Sequence, residues 1–368
     1  MPNTDSKLSG LPLALDFELM LSASNDPSVT WLGAELLRNL VIASTPSLDK
    51  PFLTVLMRTQ GKRINALRDS LTTLYGQTSQ DFVVFLMEHD VSIETDAAIS
   101  EVIDSFPQDF TSRIHKIPVQ GGSRARPLNT ALNMVESSYV AALDDDDIVF
   151  ANWVEEFKRG AIESPGRMIR ALCAVQKVQS EEWFNGTRGF RAISWPEVPY
   201  EIEYSQIEHL RVNQSPFMSI AFPTGLFTVL GERFDEELAV CEDWDMILRG
   251  GAICGVHQRP TLTAIYRNWV GIETSYTQHS FDEWRSSEAR VLRKLASRPF
   301  LLEVGAIEEL RTLVLHKETL DAYGTYDFMF RNGVLRLPFR IFFRAVSPAI
   351  RLTVRARNLL RRLRGRKP

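Results

Sequence analysis

Two short runs of carboxylates have the residue types and the spacing of groups that do chemistry. The first is Asp144–Asp147, four consecutive aspartates that directly follow the apolar stretch Tyr139–Leu143. The second is Glu242–Asp245, which precedes the apolar residues Met246–Leu248. Adjacent carboxylates repel one another, and burying them without a cation is costly. The first run therefore suits a hard divalent ion, Mg²⁺ or Mn²⁺, which carboxylate oxygens can hold beside a diphosphate.

Both runs also have simpler explanations. Asp147 could cap a helix that begins at Ile148, within a solvated acidic loop, because helix caps and first turns favour negative charge. Glu242–Asp245 could likewise be three acids at the start of a helix. The apolar strand that leads into the first run favours the metal interpretation over the loop.

The elements that must position these acids predict a parallel sheet. Phe52–Met57 and Phe82–Met87 are short apolar runs typical of buried strands, and the segment between them carries leucines at helical spacing and ends at Gly76. Strand, helix, strand with apolar strands is typical of a sheet that is covered on both faces. Four further elements are predicted: helices near 97–105 and 128–136, and strands near 113–119 and 139–143.

Polar clusters end three of the predicted strands, at Thr59–Arg63, Glu88–Asp90 and Asp144–Asp147. Ligands of open α/β sheets bind beyond the carboxyl ends of the strands, so we expect the three clusters to converge on one crevice. Residues 165–240 show no clear pattern and predict an irregular, aromatic-rich surface.

With these elements in place, residues Pro51–Tyr276 resemble the family 2 glycosyltransferases, which have the GT-A fold. Tyr139–Asp147 is similar to the family's aromatic, apolar strand that leads into Leu-Asp-x-Asp-Asp. The resemblance implies that Asp144 and Asp146 form the metal-binding pair, with Asp146 as the direct ligand. It also implies that Asp144 or Asp145 reaches the ribose or a metal-bound water.

The second motif of the resemblance carries the catalytic base. Cys241–Arg249 is similar to the family's Glu-Asp-x-Asp-Leu-x-x-Arg stretch, and by that match the base is Asp243. A carboxylate can accept the proton of an acceptor hydroxyl as that oxygen attacks the anomeric carbon. One base and an in-line displacement imply inversion at that carbon. The Gln-x-x-Arg-Trp motif of processive members does not occur in the sequence, which implies transfer of a single sugar.

Weaker matches lie at the nucleotide end. The loop 58–63 is similar to the family's Pro-Thr-Tyr-Asn-Arg loop, and Glu88 falls where the family has an aspartate that contacts the base. Asn129 matches the asparagine of an Arg-Asn pair, but its arginine is replaced by leucine, and Arg124 or Arg126 is expected to take that role. The resemblance implies a donor site made of Thr59, Arg63, Glu88, Arg126, Asn129, Asp144 and Asp145.

The carboxyl-terminal segment is strongly basic. The chain has 368 residues and a net charge of −4, yet no acidic residue follows Asp327 and residues 328–368 carry twelve Lys and Arg. The segment 331–368 mixes arginines with apolar residues and predicts a helical, amphipathic tail. Such a tail can lie on an anionic membrane surface, or it can pack on the domain with its arginines in solvent. The acidic body argues against nucleic acid as a partner.

Other features of the sequence indicate a cytoplasmic protein. No apolar run approaches the ~20 residues that span a bilayer, and the polar amino terminus does not resemble a secretory signal. The cysteines Cys173, Cys241 and Cys254 are predicted to be reduced thiols. Together with the basic tail, these features predict a cytoplasmic enzyme that is peripheral on the inner face of the cell membrane.

The sequence predicts an α/β fold of the GT-A type, Rossmann-like, with a mixed, mostly parallel central sheet flanked by helices. The expected regions are an amino-terminal extension with one helix (1–50), the GT-A domain (51–275), a helical region (276–330) and the basic tail (331–368). Within the domain, residues 51–150 would form a nucleotide-binding half and residues 151–275 an acceptor half.

The resemblance implies a metal-dependent, inverting hexosyl- or deoxyhexosyltransferase of bacterial cell-surface polysaccharide synthesis. Its donor would be a UDP- or dTDP-sugar, and its acceptor a saccharide or a lipid-linked saccharide. His279 could add a metal ligand from a closing loop. Three alternatives stay open: a nucleotidyltransferase on a related sheet, a phosphatase with an Asp-x-Asp nucleophile, and a catalytically inactive protein that binds sugar nucleotides.

Overall fold

The structure of the chain is a computed structural model. It describes residues 27–182, 188–271, 279–297 and 306–315. The chain divides into two compact units, Met1–Ala306 and Ile307–Pro368. The tail predicted at 331–368 lies outside the described residues, as do residues 1–26. Within the described ranges, no helix combines the length and the apolar character needed to cross a bilayer.

One nine-stranded sheet forms the centre of the first unit. Its strands are β1 Leu53–Thr59, β2 Phe82–His89, β3 Ile114–Val119, β4 Tyr139–Asp144, β5 Ile148–Val149, β6 Met168–Glu182, β7 Arg188–Ala192, β8 Ile220–Pro223 and β9 Val256–Val270. The helices of the described residues are α1 Pro27–Ser44, α2 Ile64–Tyr75, α3 Ile93–Asp104, α4 Gln108–Thr111, α5 Ala125–Leu132, α6 Trp153–Glu163, α7 Gln206–Arg211, α8 Gly225–Thr228, α9 Glu242–Cys254, α10 Phe281–Ala296 and α11 Ala306–Leu315. A 3₁₀ turn lies at Phe217–Ser219.

The sheet is mixed, because β8, β5 and β7 run against the direction of the other strands. The strand order is β3-β2-β1-β4-β8-β6-β9-β5, and β7 pairs with β6. Strand β1 is parallel to β2 and to β4, and β3 is parallel to β2. Strand β8 runs antiparallel to β4 and β6, whereas β6 and β9 are parallel. The predicted fold class, an α/β fold with a mixed central sheet flanked by helices, is confirmed.

Helices cover both faces of the sheet because its central strands are apolar on both sides. On one face, Val55 of β1 belongs to a buried cluster with Leu71 of α2 and Phe157 of α6. On the other face, Leu56 of β1 belongs to a second cluster with Leu128 of α5. Burial on both faces explains why these strands read as uninterrupted apolar runs.

The carboxyl ends of β1 and β4 are adjacent at the point where the strand order reverses. From β1 the chain adds β2 and β3 on one side, and β4 on the other. The parallel register sets Arg58 of β1 beside Asp144 of β4, and Thr59 of β1 beside Glu88 of β2. Open α/β sheets bind ligands at such a switch point. The polar strand ends therefore meet at one edge of the sheet, as the sequence predicts.

Three elements differ from the sequence prediction. Ile148–Val149 forms β5, which pairs with β9, so Asp147 does not cap a helix there. Helix α5 begins at Ala125, earlier than predicted, because Pro127 fits a first turn, where its missing N–H is not needed. The region 165–240, predicted to be irregular, contains the 15-residue strand β6. The first half of β6 is buried on both faces and includes the charged Arg170, whereas its second half is largely exposed, so the strand shows neither a continuous apolar run nor alternation.

Helix α10 belongs to the first unit, although its residues fall in the predicted region 276–330. Val291 of α10 is fully buried in a cluster with Trp244 of α9. Lys294 of α10 forms an ion pair of 2.8 Å with Asp245 of α9, which is itself fully buried. An apolar contact and a buried ion pair thus fix α10 against α9.

The packing of α1 on α8 predicts that Gly225 tolerates no larger residue. A Cβ atom at Gly225 would lie 2.5 Å from the backbone oxygen of Leu40, which cannot move aside alone. We expect Gly225→Ala to lower the free energy of unfolding by about 1–3 kcal/mol, as overpacking usually does. Urea unfolding measures this change.

Gly76→Ala is the matched control. A Cβ atom at Gly76 would meet no atom closer than 3.5 Å, and the φ angle of Gly76 is −79°, which alanine adopts without strain. We expect a change within about 0.5 kcal/mol. A Gly225→Ala protein that unfolds at the wild-type urea concentration would contradict the contact between α1 and α8.

Candidate active site

Arg58 joins the two carboxylate runs. Its side chain is 11% exposed and forms a two-pronged ion pair with Asp144, through Nε–Oδ1 at 2.9 Å and Nη2–Oδ2 at 3.0 Å. Its remaining nitrogen, Nη1, donates to Oε1 of the buried Glu242 at 2.7 Å. One guanidinium group therefore connects the end of β4 to the first residue of α9.

The end of β1 and the loop after it hold the next two aspartates. The hydroxyl of Thr59 donates to Oδ2 of Asp145 at 2.5 Å. Arg63, directly before α2, donates from Nη1 to Oδ2 of Asp146 at 2.5 Å, and its guanidinium lies over the ring of Trp269 at 4.6 Å. The aspartates at the end of β4 are thus bound by the last residue of the neighbouring strand β1 and by the loop that follows it.

Asp147 is buried and holds the loop in place. Its Oδ1 accepts a hydrogen bond from the backbone N–H of Arg267 in β9 at 2.7 Å. Its backbone oxygen accepts from the hydroxyl of Ser70 in α2 at 2.5 Å. Burial, and then the charge of Asp146, raise the pKa of Asp147 well above its ordinary value. The last aspartate of the run therefore fastens the loop to β9 and α2.

A first cavity of about 250 Å³ opens at these strand ends. It is lined by Arg58, Thr59, Gln60, Lys62, Arg63, His89, Arg124, Asp144, Asp145, Asp146, Tyr266, Arg267, Trp269 and His279. Five of these side chains are arginine or lysine and three are aspartate, so cationic groups outnumber anionic ones. A small cavity with this charge fits a diphosphate.

Asp243 lies in the first turn of α9. Cys241, the residue before the helix, has the left-handed backbone conformation (φ 69°), which turns the chain sharply into α9. Oδ2 of Asp243 accepts a hydrogen bond from the side-chain amide of Asn213 at 3.0 Å, and Oδ1 accepts from the backbone N–H of Trp244 at 2.7 Å. These contacts fix the orientation of the carboxylate.

The two acids at the start of α9 have opposite pKa shifts. Burial, and then the neighbouring charge of Glu242, raise the pKa of Asp243 to about 6. Burial also acts to raise the pKa of Glu242, but the cations Arg124 and Arg58 outweigh it and lower that pKa to about 2. Adjacent carboxyls whose pKa values are driven apart are typical of acid–base sites, in which one carboxyl stays charged and the other exchanges a proton.

A second cavity of about 410 Å³ contains Asp243 and adjoins the first. It is lined by Arg58, Arg124, Asp144, Asp147, Tyr200, Arg211, Val212, Asn213, Pro216, Phe217, Met218, Val240, Cys241, Glu242, Asp243, Trp244, Tyr266, Phe281, Trp284, Arg285 and Glu288. Four residues line both cavities: Arg58, Arg124, Asp144 and Tyr266. The two carboxylate runs therefore face adjoining spaces that these shared side chains separate.

Two carboxyls in the first cavity, those of Asp145 and Asp146, have raised pKa values. Burial, and then the charge of Asp146, raise the pKa of Asp145 to about 8. Burial, and then the charge of Asp144, raise the pKa of Asp146 to about 6, although Arg63 opposes this. Crowded, largely buried carboxyls of this kind are relieved by an added cation.

A divalent cation fits the donor chemistry of these carboxyls, because hard ions prefer carboxylate oxygens. Asp146 and Asp144 would hold it. In this structure Arg58 binds both oxygens of Asp144, and Arg63 binds Asp146, so an ion must compete with these arginines. Across the described part of the chain, no three His, Cys, Asp or Glu side chains are grouped to hold a metal ion.

Three residues predicted to contact a donor lie outside the lining of the first cavity. Glu88 is buried and forms an ion pair of 2.9 Å with Lys116. Asn129 donates to the backbone oxygen of Phe234 at 3.0 Å, which fastens α5 to a loop. Arg126 is exposed on α5. The other predicted residues, Thr59, Arg63, Asp144, Asp145 and Asp146, come together around the first cavity.

Several residues of the site were not expected from the sequence. Arg124, rather than Arg126, lines both cavities. Arg58 stands where the resembling family has proline, and this departure was the one signal of its role. Asn213 comes from a segment without a recognisable pattern, and Arg267 from the unpredicted strand β9. Nothing in the local sequence of Asn213 or Arg267 indicates a contact with the carboxylates.

No protein-family profile matches the sequence. An uncharacterised glycosyltransferase of Methanocaldococcus jannaschii is 26% identical over 109 residues, which are 30% of this chain and 37% of that protein. The chain thus spans little more than a third of the length of the relative it matches.

Crystal structures of S. aureus TarS, residues 1–349, show a low structural similarity to the chain. The complex with UDP-GlcNAc has a TM-score of 0.45 at 14% identity, covering 62% of this chain and 61% of that one. The structure described without a ligand has a TM-score of 0.42 at 14% identity, covering 59% and 60%. Similarity at this level does not transfer a function to the chain.

Arg58 is predicted to stabilise the fold because it neutralises two acids. Replacing Arg58 with methionine leaves both Asp144 and the buried Glu242 without this cation. We expect Arg58→Met to lower the free energy of unfolding by about 3 kcal/mol, as when one member of a buried ion pair is removed. Urea unfolding at pH 7 measures the loss.

Two further variants make this measurement specific. Arg38→Met removes an arginine from an exposed pair with Glu35, and it should change stability by less than about 1 kcal/mol. Glu242→Gln in the Arg58→Met background should recover part of the loss, because it removes the unpaired acid. An Arg58→Met protein as stable as Arg38→Met would contradict the bridge.

Asp243 is predicted to destabilise the folded state above pH 6. Its pKa is raised from 3.8 to about 6, so ionisation on the folded chain becomes unfavourable as the pH rises through that interval. Asp243→Asn cannot ionise, and we expect it to be more stable than the wild type at pH 8 by about 1–2 kcal/mol, since the partial exposure of Asp243 reduces the full effect. The difference should shrink as the pH falls from 6 to 4 and approach zero below 3.8, where the carboxyl becomes protonated in the unfolded chain as well as in the folded one.

Denaturant unfolding at pH 4 and pH 8 checks this sign. Asp104→Asn is the matched control, because Asp104 is exposed on α3. We expect it to show no change with pH beyond that of the wild type. A wild-type protein more stable than Asp243→Asn at pH 8 would mean that the carboxylate is favourably solvated there.

Proposed function

We propose that the chain is an inverting glycosyltransferase. It transfers a single sugar from a nucleotide-sugar donor, a UDP- or dTDP-sugar, to a hydroxyl of a saccharide or lipid-linked saccharide acceptor. One observation carries the proposal: the carboxylate Asp243 and the aspartates at the end of β4 line adjoining cavities that share Arg58 and Asp144. A donor in the first cavity and an acceptor in the second would meet at this boundary.

The first cavity is assigned to the nucleotide diphosphate. It lies at the switch point of the sheet, where open α/β folds bind ligands. Lys62, Arg63, Arg124 and Arg267 supply positive charge around it. Guanidinium groups bind phosphate oxygens with paired hydrogen bonds, so these residues would hold the diphosphate and stabilise the charge that develops as it leaves.

We also propose that the reaction depends on Mg²⁺ or Mn²⁺. Asp146, supported by Asp144, would hold the ion, and donor phosphate oxygens would complete its ligands. When bound, the ion would neutralise negative charge on the departing diphosphate. The raised pKa values of Asp145 and Asp146 support this proposal, because a nearby cation would relieve the repulsion that raises them.

Asp243 is assigned as the general base. Its carboxylate accepts the proton of the acceptor hydroxyl, while that oxygen forms a bond to the anomeric carbon of the donor. The bond from this carbon to the phosphate oxygen breaks, and the nucleoside diphosphate leaves with the electron pair. Asn213 orients Asp243, and Glu242 stays ionised through Arg58. A base with a pKa near 6 is ionised at neutral pH and still accepts a proton in the transition state.

Two further observations support the transferase class. The motifs Tyr139–Asp147 and Cys241–Arg249 resemble those of family 2 glycosyltransferases. The relative from M. jannaschii carries the name glycosyltransferase, although it matches over a limited length. We further propose that the enzyme acts in cell-surface polysaccharide synthesis. We also propose that residues 331–368 contact an anionic membrane on its cytoplasmic side.

Asp243→Asn tests the base. We expect the variant to bind nucleoside diphosphates as the wild type does and to lose turnover by at least 10²-fold, because general base catalysis contributes about 10²–10⁴-fold. For the wild type, kcat/KM should rise with pH through about 6 and level off above pH 7, since only ionised Asp243 accepts a proton. Thermal shifts against UDP, dTDP and their sugars identify the donor for these assays.

The outcomes distinguish the candidates. Unchanged turnover in Asp243→Asn would remove Asp243 from the role of base. Stabilisation by nucleotide sugars without any transfer or hydrolysis in the wild type would indicate a catalytically inactive binding protein. Release of pyrophosphate from a nucleoside triphosphate would indicate a nucleotidyltransferase.

Asp146→Ala tests the metal. We expect Mg²⁺ or Mn²⁺ to raise the donor affinity of the wild type about tenfold or more. The same ions should not raise the donor affinity of the variant, because a carboxylate that binds the ion directly is removed. Titration calorimetry with and without EDTA measures this difference. Asp104→Ala, at the exposed end of α3, should keep the full metal effect. Donor affinity that is insensitive both to EDTA and to Asp146→Ala would rule out the metal while leaving the transferase in place.

A further inference from the structure

One face of helix α10 lines the second cavity. Phe281, Trp284, Arg285 and Glu288 all belong to this lining. Their spacing of three, four and seven residues from Phe281 places them on a single side of a helix. Phe281 is 71% exposed although it is a large apolar residue. This aromatic helix face lines the same cavity as Asp243 but is not needed for proton transfer. Its presence there therefore requires another explanation.

The contacts of α10 fix this face relative to Asp243. Farther along the same side of the helix, Val291, seven residues after Trp284, is buried with Trp244, the residue next to Asp243. Lys294 forms an ion pair with Asp245, two residues beyond Asp243. Because α10 and the first turn of α9 share these contacts, the aromatic face and the carboxylate hold one geometry. A ligand on the face would therefore be positioned against Asp243.

The face combines apolar rings with a small number of polar groups. Trp284 and Phe281 offer flat, apolar surfaces, while Arg285 donates and Glu288 accepts hydrogen bonds. A pyranose ring has matching parts: an apolar face of C–H groups and a rim of hydroxyls. Ligand pockets commonly pair such apolar surfaces with a few orienting polar groups.

The charge of the second cavity argues for a neutral ligand. Its lining has four arginines and five acids, so the two signs nearly balance, whereas cations exceed acids in the first cavity. Three of the four arginines already have acidic partners: Arg58 with Glu242, Arg124 also with Glu242, and Arg211 with Glu208. An acceptor sugar with a phosphate or carboxylate would find little excess positive charge here.

We propose that the α10 face, defined by Phe281, Trp284, Arg285 and Glu288, binds the acceptor as a neutral pyranoside, with its ring against Trp284 and its hydroxyls bonded to Arg285 and Glu288. This inference rests on the proposed function and names the substrate class of the second cavity. The residues of this face then determine acceptor specificity and leave donor binding unaffected.

Saturation-transfer NMR tests the proposal on the full chain with saturating UDP or dTDP, whichever stabilises it. The neutral probes are the methyl glycosides of glucose, galactose, mannose and rhamnose. The anionic probes are methyl glucuronoside and glucose 1-phosphate. We expect at least one neutral glycoside to bind the wild type at least tenfold more tightly than either anionic probe. Trp284→Ala and Arg285→Ala should each weaken that binding at least fivefold.

Matched controls come from the same chain. Trp195→Ala removes a tryptophan that is 88% exposed, and Arg293→Ala removes an exposed arginine of α10 outside the cavity lining. Both should bind the glycoside as the wild type does. The thermal shift given by the nucleotide should be equal in all four variants, which shows that the fold and the first cavity are intact.

Failure of this inference and failure of the proposed function give different results. A wild type that no nucleotide or nucleotide sugar stabilises contradicts the proposed function, and the inference falls with it. Nucleotide binding with any of three results overturns the inference alone: no neutral glycoside bound, tighter binding of an anionic probe, or wild-type affinity in Trp284→Ala.

Discussion

The ion pairs of Arg58 are the interaction on which the rest of the site depends. A single guanidinium group neutralises Asp144 at the end of β4 and Glu242 at the start of α9. Without it, two acids would approach each other in a largely buried place, where unpaired charge is strongly unfavourable. The bridge also separates the first cavity from the second. The same contact therefore stabilises the fold and sets the boundary at which a donor and an acceptor would meet.

The sheet places this bridge because parallel strands end together. Arg58 and Asp144 are neighbours in the register of β1 and β4, and the strand order reverses between these strands. In the second half of the sheet, β6 and β9 run in the same direction as β4, with the antiparallel β8 between β4 and β6, so their carboxyl ends reach the same edge. Strand β9 reaches Asp147 through the backbone of Arg267, and α9 brings Asp243. Residues far apart in sequence thus converge on one edge, and rigid elements hold them there.

The acids of the site are arranged for function at a cost in stability. Burial raises the pKa values of Asp145, Asp146 and Asp243, which means that the folded chain binds protons where an unfolded chain would not. Glu242 is the exception, because Arg124 and Arg58 keep it ionised. Unfavourable charge of this kind is concentrated at functional sites, and the two large apolar clusters on the faces of the sheet compensate for it.

The sequence alone determined the first half of the fold and the identity of the acids. Strands buried on both faces appear as apolar runs, and the aspartates at Asp144–Asp147 follow one of them directly, so local pattern was sufficient. It could not reveal β6 and β9, because strands of mixed burial have no periodic signal. Nor could it show that Arg58 binds Glu242, or that α10 lines the cavity of Asp243. These contacts join segments distant in the chain, and only the folded backbone, through its strand register and helix packing, brings them within a hydrogen bond's length.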